Sequence, residues 1–331
     1  MNTPIHIPAP KKFFAAVRAS LCVAALSVLI TPITYAADGY ANVGGTTTGG
    51  AGGPTVTVTT LAQLTSAASD DVARIVRVSG TINLGSSNFR VGSNKTLIGV
   101  GANSGFSGNL ICRLERNIII QNLRFTNPNS VGDGDGLTLY GSKNVFVTNC
   151  TFTQCGDGSL DITHGADNIT VSWCKFLYTS NTGHNFVGLI GHSDNNAGED
   201  SGKLHVTMHH NWYSTLCVER MPRVRFGRVH VYNNYYGSAG SNYNVGIGNQ
   251  SQVFVDTCYF DAQTMPWKNY SSSGNQGLVR WNTGNVFVNT TVPTWAPNSS
   301  SVFTPPYSYS VTPGSNVKSV VTNATTGAGT H

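Results

Sequence analysis

Apolar and polar positions recur in one phrase along the middle of the chain. Two apolar residues separated by one lead into a polar or small pair and then, shortly after, an aromatic. The phrase reads I-I-I-Q-N-L-R-F up to Phe125, V-F-V-T-N-C-T-F up to Phe152 and I-T-V-S-W-C-K-F up to Phe176. It returns as V-T-M-H-H-N-W-Y at Tyr213, V-H-V-Y-N-N-Y-Y at Tyr236 and V-F-V-D-T-C-Y-F at Phe260. The aromatics are 27, 24, 37, 23 and 24 residues apart. A strand-patterned repeat of that period is the signature of a solenoid whose stacked coils bury a continuous core. Neighbouring coils lie about 4.8 Å apart, so equivalent residues form columns. One column is the six aromatics. Another, two places earlier, is Leu123, Cys150, Cys174, Asn211, Asn234 and Cys258, expected to face inward, with the thiols serving packing. Cys150 and Cys174 fall on adjacent coils, where a bridge is geometrically possible.

The flanks read differently. Residues 1–36 pair Lys11, Lys12 and Arg18 with an apolar run from Leu21 to Ile30 and the small residues Thr34 and Ala36, the pattern of a signal peptide cleaved after Ala36. The run is too short to span a bilayer, so a secreted protein with no membrane attachment is expected, with residues 37–331 as one domain. Ala37 to Pro54 is Gly-rich and reads as an ordered surface loop. Val56 and Val58 mark a strand, and Thr60 caps a short helix from Leu61 to about Ser69. Arg74 to Leu84 and Thr96 to Gly101 read as further strands. From Thr264 onward the chain becomes an irregular tail packed along the flank, with Val317 to Val321 as its anchor. The expected fold is therefore all-β: a single-stranded parallel solenoid with a short N-terminal helix and an irregular C-terminal tail.

Composition agrees with this and narrows the partners. Gly, Asn, Ser, Thr and Val dominate over helix formers. Losing residues 1–36 removes three basic and no acidic residues, taking the formal charge from +5 to +2. Net basicity thus gives no argument for nucleic acid. Only 11% of the chain is charged, yet Arg220, Arg223 and Arg225 cluster around Pro222. Guanidinium forks match carboxylates and suit an acidic ligand; the alternative is a surface run paired with local acids. Counting back from each aromatic places Asp135, Asp161 and Arg220 in nearly one column. Asp133 with Asp135, and Asp157 with Asp161, are expected to share strand faces. Four converging carboxylates call for a cation, and hard oxygen ligands with no His or Cys set favour Ca²⁺ over zinc. The alternative is that Asp133 to Gly136 is merely a turn.

Several stretches together resemble the pectate lyases of polysaccharide lyase family 1. They are D-G-D-G at Asp133 to Gly136, D-G-S-L-D-I-T-H-G-A-D-N-I-T-V-S-W at Asp157 to Trp173, L-I-G-H-S-D at Leu189 to Asp194, and R-M-P-R-V-R-F-G from Arg220. The resemblance implies a right-handed parallel β-helix and a monomer that cleaves polygalacturonate by calcium-assisted β-elimination, leaving an unsaturated sugar end. It implies Asp135, Asp157 and Asp161 as calcium ligands, joined by Asp133 when substrate is bound. Arg220 takes the place of the proton-abstracting Arg, Arg225 that of a contact to the substrate carboxylate, and Arg223 lies in the same motif. A guanidinium is already protonated at ordinary pH and is a poor proton acceptor. Arg220 is therefore expected either to take the proton or to stabilise the enolate while hydroxide does, and both routes imply an alkaline optimum. Two positions depart from the family: Phe186 stands where a substrate-binding Lys is common, with His184 or another nearby cation expected to compensate or the binding mode to differ, and Val145 to Asn149 reads V-F-V-T-N instead of V-W-I-D-H. The rival readings are a calcium-independent pectin lyase acting on methyl-esterified chains, and a non-catalytic carbohydrate-binding solenoid.

Overall fold

The computed structural model describes Met1, residues 36–293 and residues 299–331. The signal segment expected at 1–36 lies almost wholly outside these residues. Three parallel sheets of ten, eight and nine strands line the solenoid, each coil contributing one short strand to each sheet. The ten-stranded sheet holds the recurring phrase, with Val145, Ile169, Val206, Val229 and Val253 in lateral register.

The aromatic column is an inner stack of nearly parallel rings. Centroids are 4.8 Å apart for Phe125 and Phe152, 5.0 Å for Phe152 and Phe176, 5.3 Å for Phe176 and Tyr213, and 4.5 Å for Tyr236 and Phe260. Phe106 and Phe287 extend it at the two ends. All six described thiols, from Cys112 to Cys258, are buried and free, in keeping with packing. The asparagines of the Cys column have a second use. Asn211 and Asn234 accept hydrogen bonds from the backbone N–H of Cys174 and Asn211, one coil earlier, and donate to Val171 and Met208 carbonyls. Buried backbone groups at the turn are thereby satisfied. The preceding residue of each coil, Asn122, Asn149, Trp173, His210, Asn233 or Thr257, adopts left-handed φ between 50° and 54°. That repeated bend turns the chain from the ten-stranded into the nine-stranded sheet.

The helix Leu61–Ala68 forms where expected, with Thr60 Oγ1 accepting from Gln63 N–H and Leu64, Ala67 and Ala68 buried. The Gly-rich start packs on the ten-stranded sheet: Tyr40 N–H and Ala41 N–H donate to Thr207 and Thr170 hydroxyls. A Cβ on Gly39 would lie 2.7 Å from both hydroxyl oxygens, so only glycine allows this approach. The irregular tail does not begin at Thr264 as expected: Trp267–Asn269, Leu278–Trp281 and Val286–Val288 continue the three sheets. Beyond them the tail carries a helix, Gly314–Val321, whose Val317 and Val321 pack on Tyr235. Among the described residues no helix is long and apolar enough to cross a membrane.

Candidate active site

The eight-stranded sheet and the loops leading into it carry the acids and arginines. Asp161 lies within the strand Leu160–Thr163, whereas Asp133, Asp135 and Asp157 lie in loops. This corrects the expectation that the acids pair up on strand faces, and also the single column through Asp135, Asp161 and Arg220. In lateral register Asp161 sits beside Thr138, and its level continues through Leu189 to Arg223, not Arg220. Loops into this sheet differ in length from coil to coil, so a count back from the aromatic does not hold its phase there.

The four acids still share one electrostatic neighbourhood. Asp135 is 3% exposed; its Oδ2 accepts from Thr138 Oγ1 at 2.8 Å, while Oδ1 is buried without a partner. Burial, and next the charge of Asp161, push its carboxyl well above the usual range. Asp161 accepts from Leu189 N–H at 2.8 Å. Burial raises it to about 6, against the opposing effects of that hydrogen bond and of Arg220. Gly158 separates the two: a Cβ there would come within 2.9 Å of Asp135 Oδ1 and 3.1 Å of Asp161 Oδ1. Asp133 and Asp157 are exposed. Asp157 Oδ1 lies 2.7 Å from His184 Nε2, but that nitrogen makes no well-aligned hydrogen bond. Among the described residues no three acid, His or Cys groups are drawn up to metal-ligand spacing. Thr138, Leu189 and His184 each hold one of the carboxylates apart.

Arg220 follows the acids two coils on. It has φ of 62°, in the left-handed region, just before the cis Met221–Pro222 bond. Its guanidinium lies 4.3 Å from the centre of the Phe186 ring, and its Nε has no partner. Arg223 opens the strand Arg223–Val224 and lies over Tyr270 at 4.4 Å. In register with it, two coils on, Lys268 approaches the same ring at 5.0 Å. Arg225 is buried, its Nε donating to Asp194 at 2.6 Å and its Nη1 to the Gly191 carbonyl at 2.9 Å. His184, expected as a stand-in for the absent Lys, does lie at the site, against Asp157 and Phe186. Sequence reasoning missed Lys268 and Tyr270, which no motif marked. Two larger hollows, about 450 Å³ beside the first helix and about 430 Å³ beneath the tail, hold none of these acids or arginines. With Asp133 and Asp157 exposed and Arg220 and Arg223 partly so, the site lies on an outer face.

A family profile described as pectate lyase matches residues 13–330. Pectate lyase plyB of Emericella nidulans is 42% identical over 230 residues, covering 67% of this chain and 68% of that one. Pectate lyase E of Dickeya chrysanthemi is 32% identical over 310 residues, covering 78% and 79%. Among solved structures, pectate lyase Bsp165PelA from Bacillus sp. N165, in complex with trigalacturonate, superposes with a TM-score of 0.74. It is 30% identical, and the match covers 89% of this chain and 98% of that one. The chain belongs to the pectate lyase family, enzymes that are polysaccharide lyases acting on polygalacturonate.

Proposed function

We propose that the protein is a secreted, monomeric pectate lyase, in which residues 1–36 are a removed signal peptide and residues 37–331 are the catalytic domain. It cleaves α-1,4-linked polygalacturonate by calcium-assisted β-elimination to give 4,5-unsaturated oligogalacturonides. The observation that carries this reading is the pair of buried carboxylates, Asp135 and Asp161, with Arg220 in electrostatic reach of Asp161, in a chain of this family. An uncompensated acid pair is unfavourable unless a cation joins it. An all-oxygen donor set with an orphaned buried Asp135 Oδ1 fits Ca²⁺.

Asp135, Asp157 and Asp161 would hold the ion, and Asp133, exposed at the rim, would join once substrate is present. Bound calcium supplies positive charge at the uronate carboxylate and so acidifies the neighbouring C5 hydrogen. Arg220, which unlike Arg225 is committed to no carboxylate among the described residues, acts at that hydrogen, either taking the proton or stabilising the enolate while hydroxide takes it. The C5–H electron pair becomes the C4=C5 double bond, and the glycosidic oxygen leaves C4 and gains a proton from solvent. Arg223 binds a uronate carboxylate from the strand. Arg225 is committed to Asp194 and Gly191 through two of its donors, so a carboxylate contact from it uses Nη2.

The test follows the ultraviolet absorbance of the unsaturated product on polygalacturonate at alkaline pH, with calcium and with excess chelator. A calcium-dependent rise that is lost in Arg220→Ala is expected. A rise that survives chelation and favours esterified pectin moves the assignment to pectin lyase; no rise on either polymer overturns the enzymatic reading of this site.

A further inference from the structure

Phe186 has no place in the hydrophobic core: it is half-exposed and belongs to none of the core clusters among the described residues. A large apolar side chain at the edge of a polar site needs another reason. Its ring has charged or polar partners on two sides. The Arg220 guanidinium lies 4.3 Å from the ring centre, and the His184 imidazole, tilted, has its centroid 3.9 Å away. His184 in turn reaches Asp157, so the series Asp157, His184, Phe186, Arg220 joins the acids to the arginine through successive side-chain contacts.

The backbone holds this arrangement in register. Val218 N–H donates to Asn185 O, Val187 N–H to Glu219 O and Gly188 N–H to Arg220 O, and Phe186 pairs with Glu219 as an isolated parallel bridge. Tyr178 donates its hydroxyl to the Phe186 carbonyl at 2.5 Å, fixing the segment from the other side. Across this seam Arg220 stands in a left-handed conformation that a side chain adopts only when its surroundings hold it there. Arg220 has no carboxylate partner within ion-pair distance among the described residues, unlike Arg225 with Asp194. Its long, flexible chain would otherwise sample many rotamers, and a flat aromatic face is one surface that restricts a guanidinium while leaving its N–H edge free.

We propose that Phe186 is a positioning residue for Arg220: the ring fixes the plane of the guanidinium so that its N–H edge meets the reacting uronate. The inference rests on the role given to Arg220 above. A misplacement of about 1 Å at a reacting group can cost about 100-fold in rate, so the effect falls on turnover more than on affinity.

Phe186→Tyr, Phe186→Met and Phe186→Leu are compared with the wild type and Arg220→Ala for kcat and KM on polygalacturonate with calcium. Melting temperature and the ring-current shift of the Arg220 side-chain N–H resonance are recorded in parallel. Phe186→Leu and Phe186→Met are expected to lose about 10-fold or more in kcat with KM changed less than about twofold, and to lose the ring-current shift. Phe186→Tyr is expected to keep both. Wild-type kcat in folded Phe186→Leu, beside an inactive Arg220→Ala, overturns the positioning role and leaves the function of Arg220 standing. Loss of kcat in Phe186→Tyr equal to that in Phe186→Leu overturns it too. An active Arg220→Ala overturns the assigned role of Arg220 and this proposal with it.

Discussion

Asp135 carries a buried carboxylate with one oxygen unpaired and another acid across Gly158. In the absence of a cation that charge works against folding, because burial and like charge both disfavour the ionised form. Asp135→Asn keeps the shape and can still accept from Thr138 Oγ1. It is expected to raise the melting temperature of the chelator-treated protein by a few degrees, of the order set by about 1 kcal/mol, while abolishing the rise that calcium produces in the wild type. Thermal melts with and without calcium check both halves. His210 makes the opposite case. Its ring stacks on Trp173 at 4.3 Å, and its nitrogens contact Thr312 Oγ1 and His209 Nδ1. Burial, and then the neighbouring His209, lower it to about 3 from an ordinary 6.5. Below about 6.5 the unfolded chain takes up a proton that the folded chain refuses, so this residue costs stability as pH falls from 6.5 toward 3, by at most about 1.4 kcal/mol per pH unit. His210→Asn tolerates the left-handed backbone and leaves His209 in place with its contact to Asp38 at 3.1 Å. Denaturant midpoints measured between pH 7 and 4 are expected to fall less steeply in that variant.

At the level of strands and turns, period-2 alternation and a repeated aromatic were legible because every coil solves the same packing problem in the same way. Phe125 to Phe260 and the Cys and Asn column therefore took their places as expected. Asn234 illustrates why polar residues share that column: its side chain bridges Asn211 N–H and the Met208 carbonyl in neighbouring coils. Asn234→Ala strands both groups in the interior and is expected to cost about 2–6 kcal/mol, from about 1–3 for each unsatisfied group, read from urea unfolding. The acids were legible as a group but not in their alignment, since Asp133, Asp135 and Asp157 lie in loops whose lengths vary. Phe186 offered no periodic signal at all; what it touches depends on the seam between residues 185–188 and 218–220. The helix Gly314–Val321 was also illegible, because Ser, Asn and Gly dilute its two apolar anchors and its formation depends on the tyrosine surface beneath it.

Across the whole described solenoid, the tail runs back over coils already laid down. Tyr309 donates to Asp256, and the Tyr307 hydroxyl lies 2.6 Å from Thr207 Oγ1 and 2.8 Å from His230 Nδ1. Thr312 then exchanges two hydrogen bonds with Asn233. Farther on, Lys318 pairs with Asp261 at 2.6 Å, Gly329 N–H donates to the Trp173 carbonyl, Thr330 N–H to Thr151 Oγ1 and His331 N–H to Asn122 Oδ1. A plain stack of coils couples only nearest neighbours and can fray from either end, one coil at a time. Here the last thirty or so residues act like the spine of a bound book, fastening pages that would otherwise turn separately. Removing residues 304–331 is expected to lower the melting temperature and to drop the ratio of van't Hoff to calorimetric enthalpy below that of the full chain. The pages on either side of Arg220, bound through Thr207, His230 and Asn233, would then be among the first to loosen.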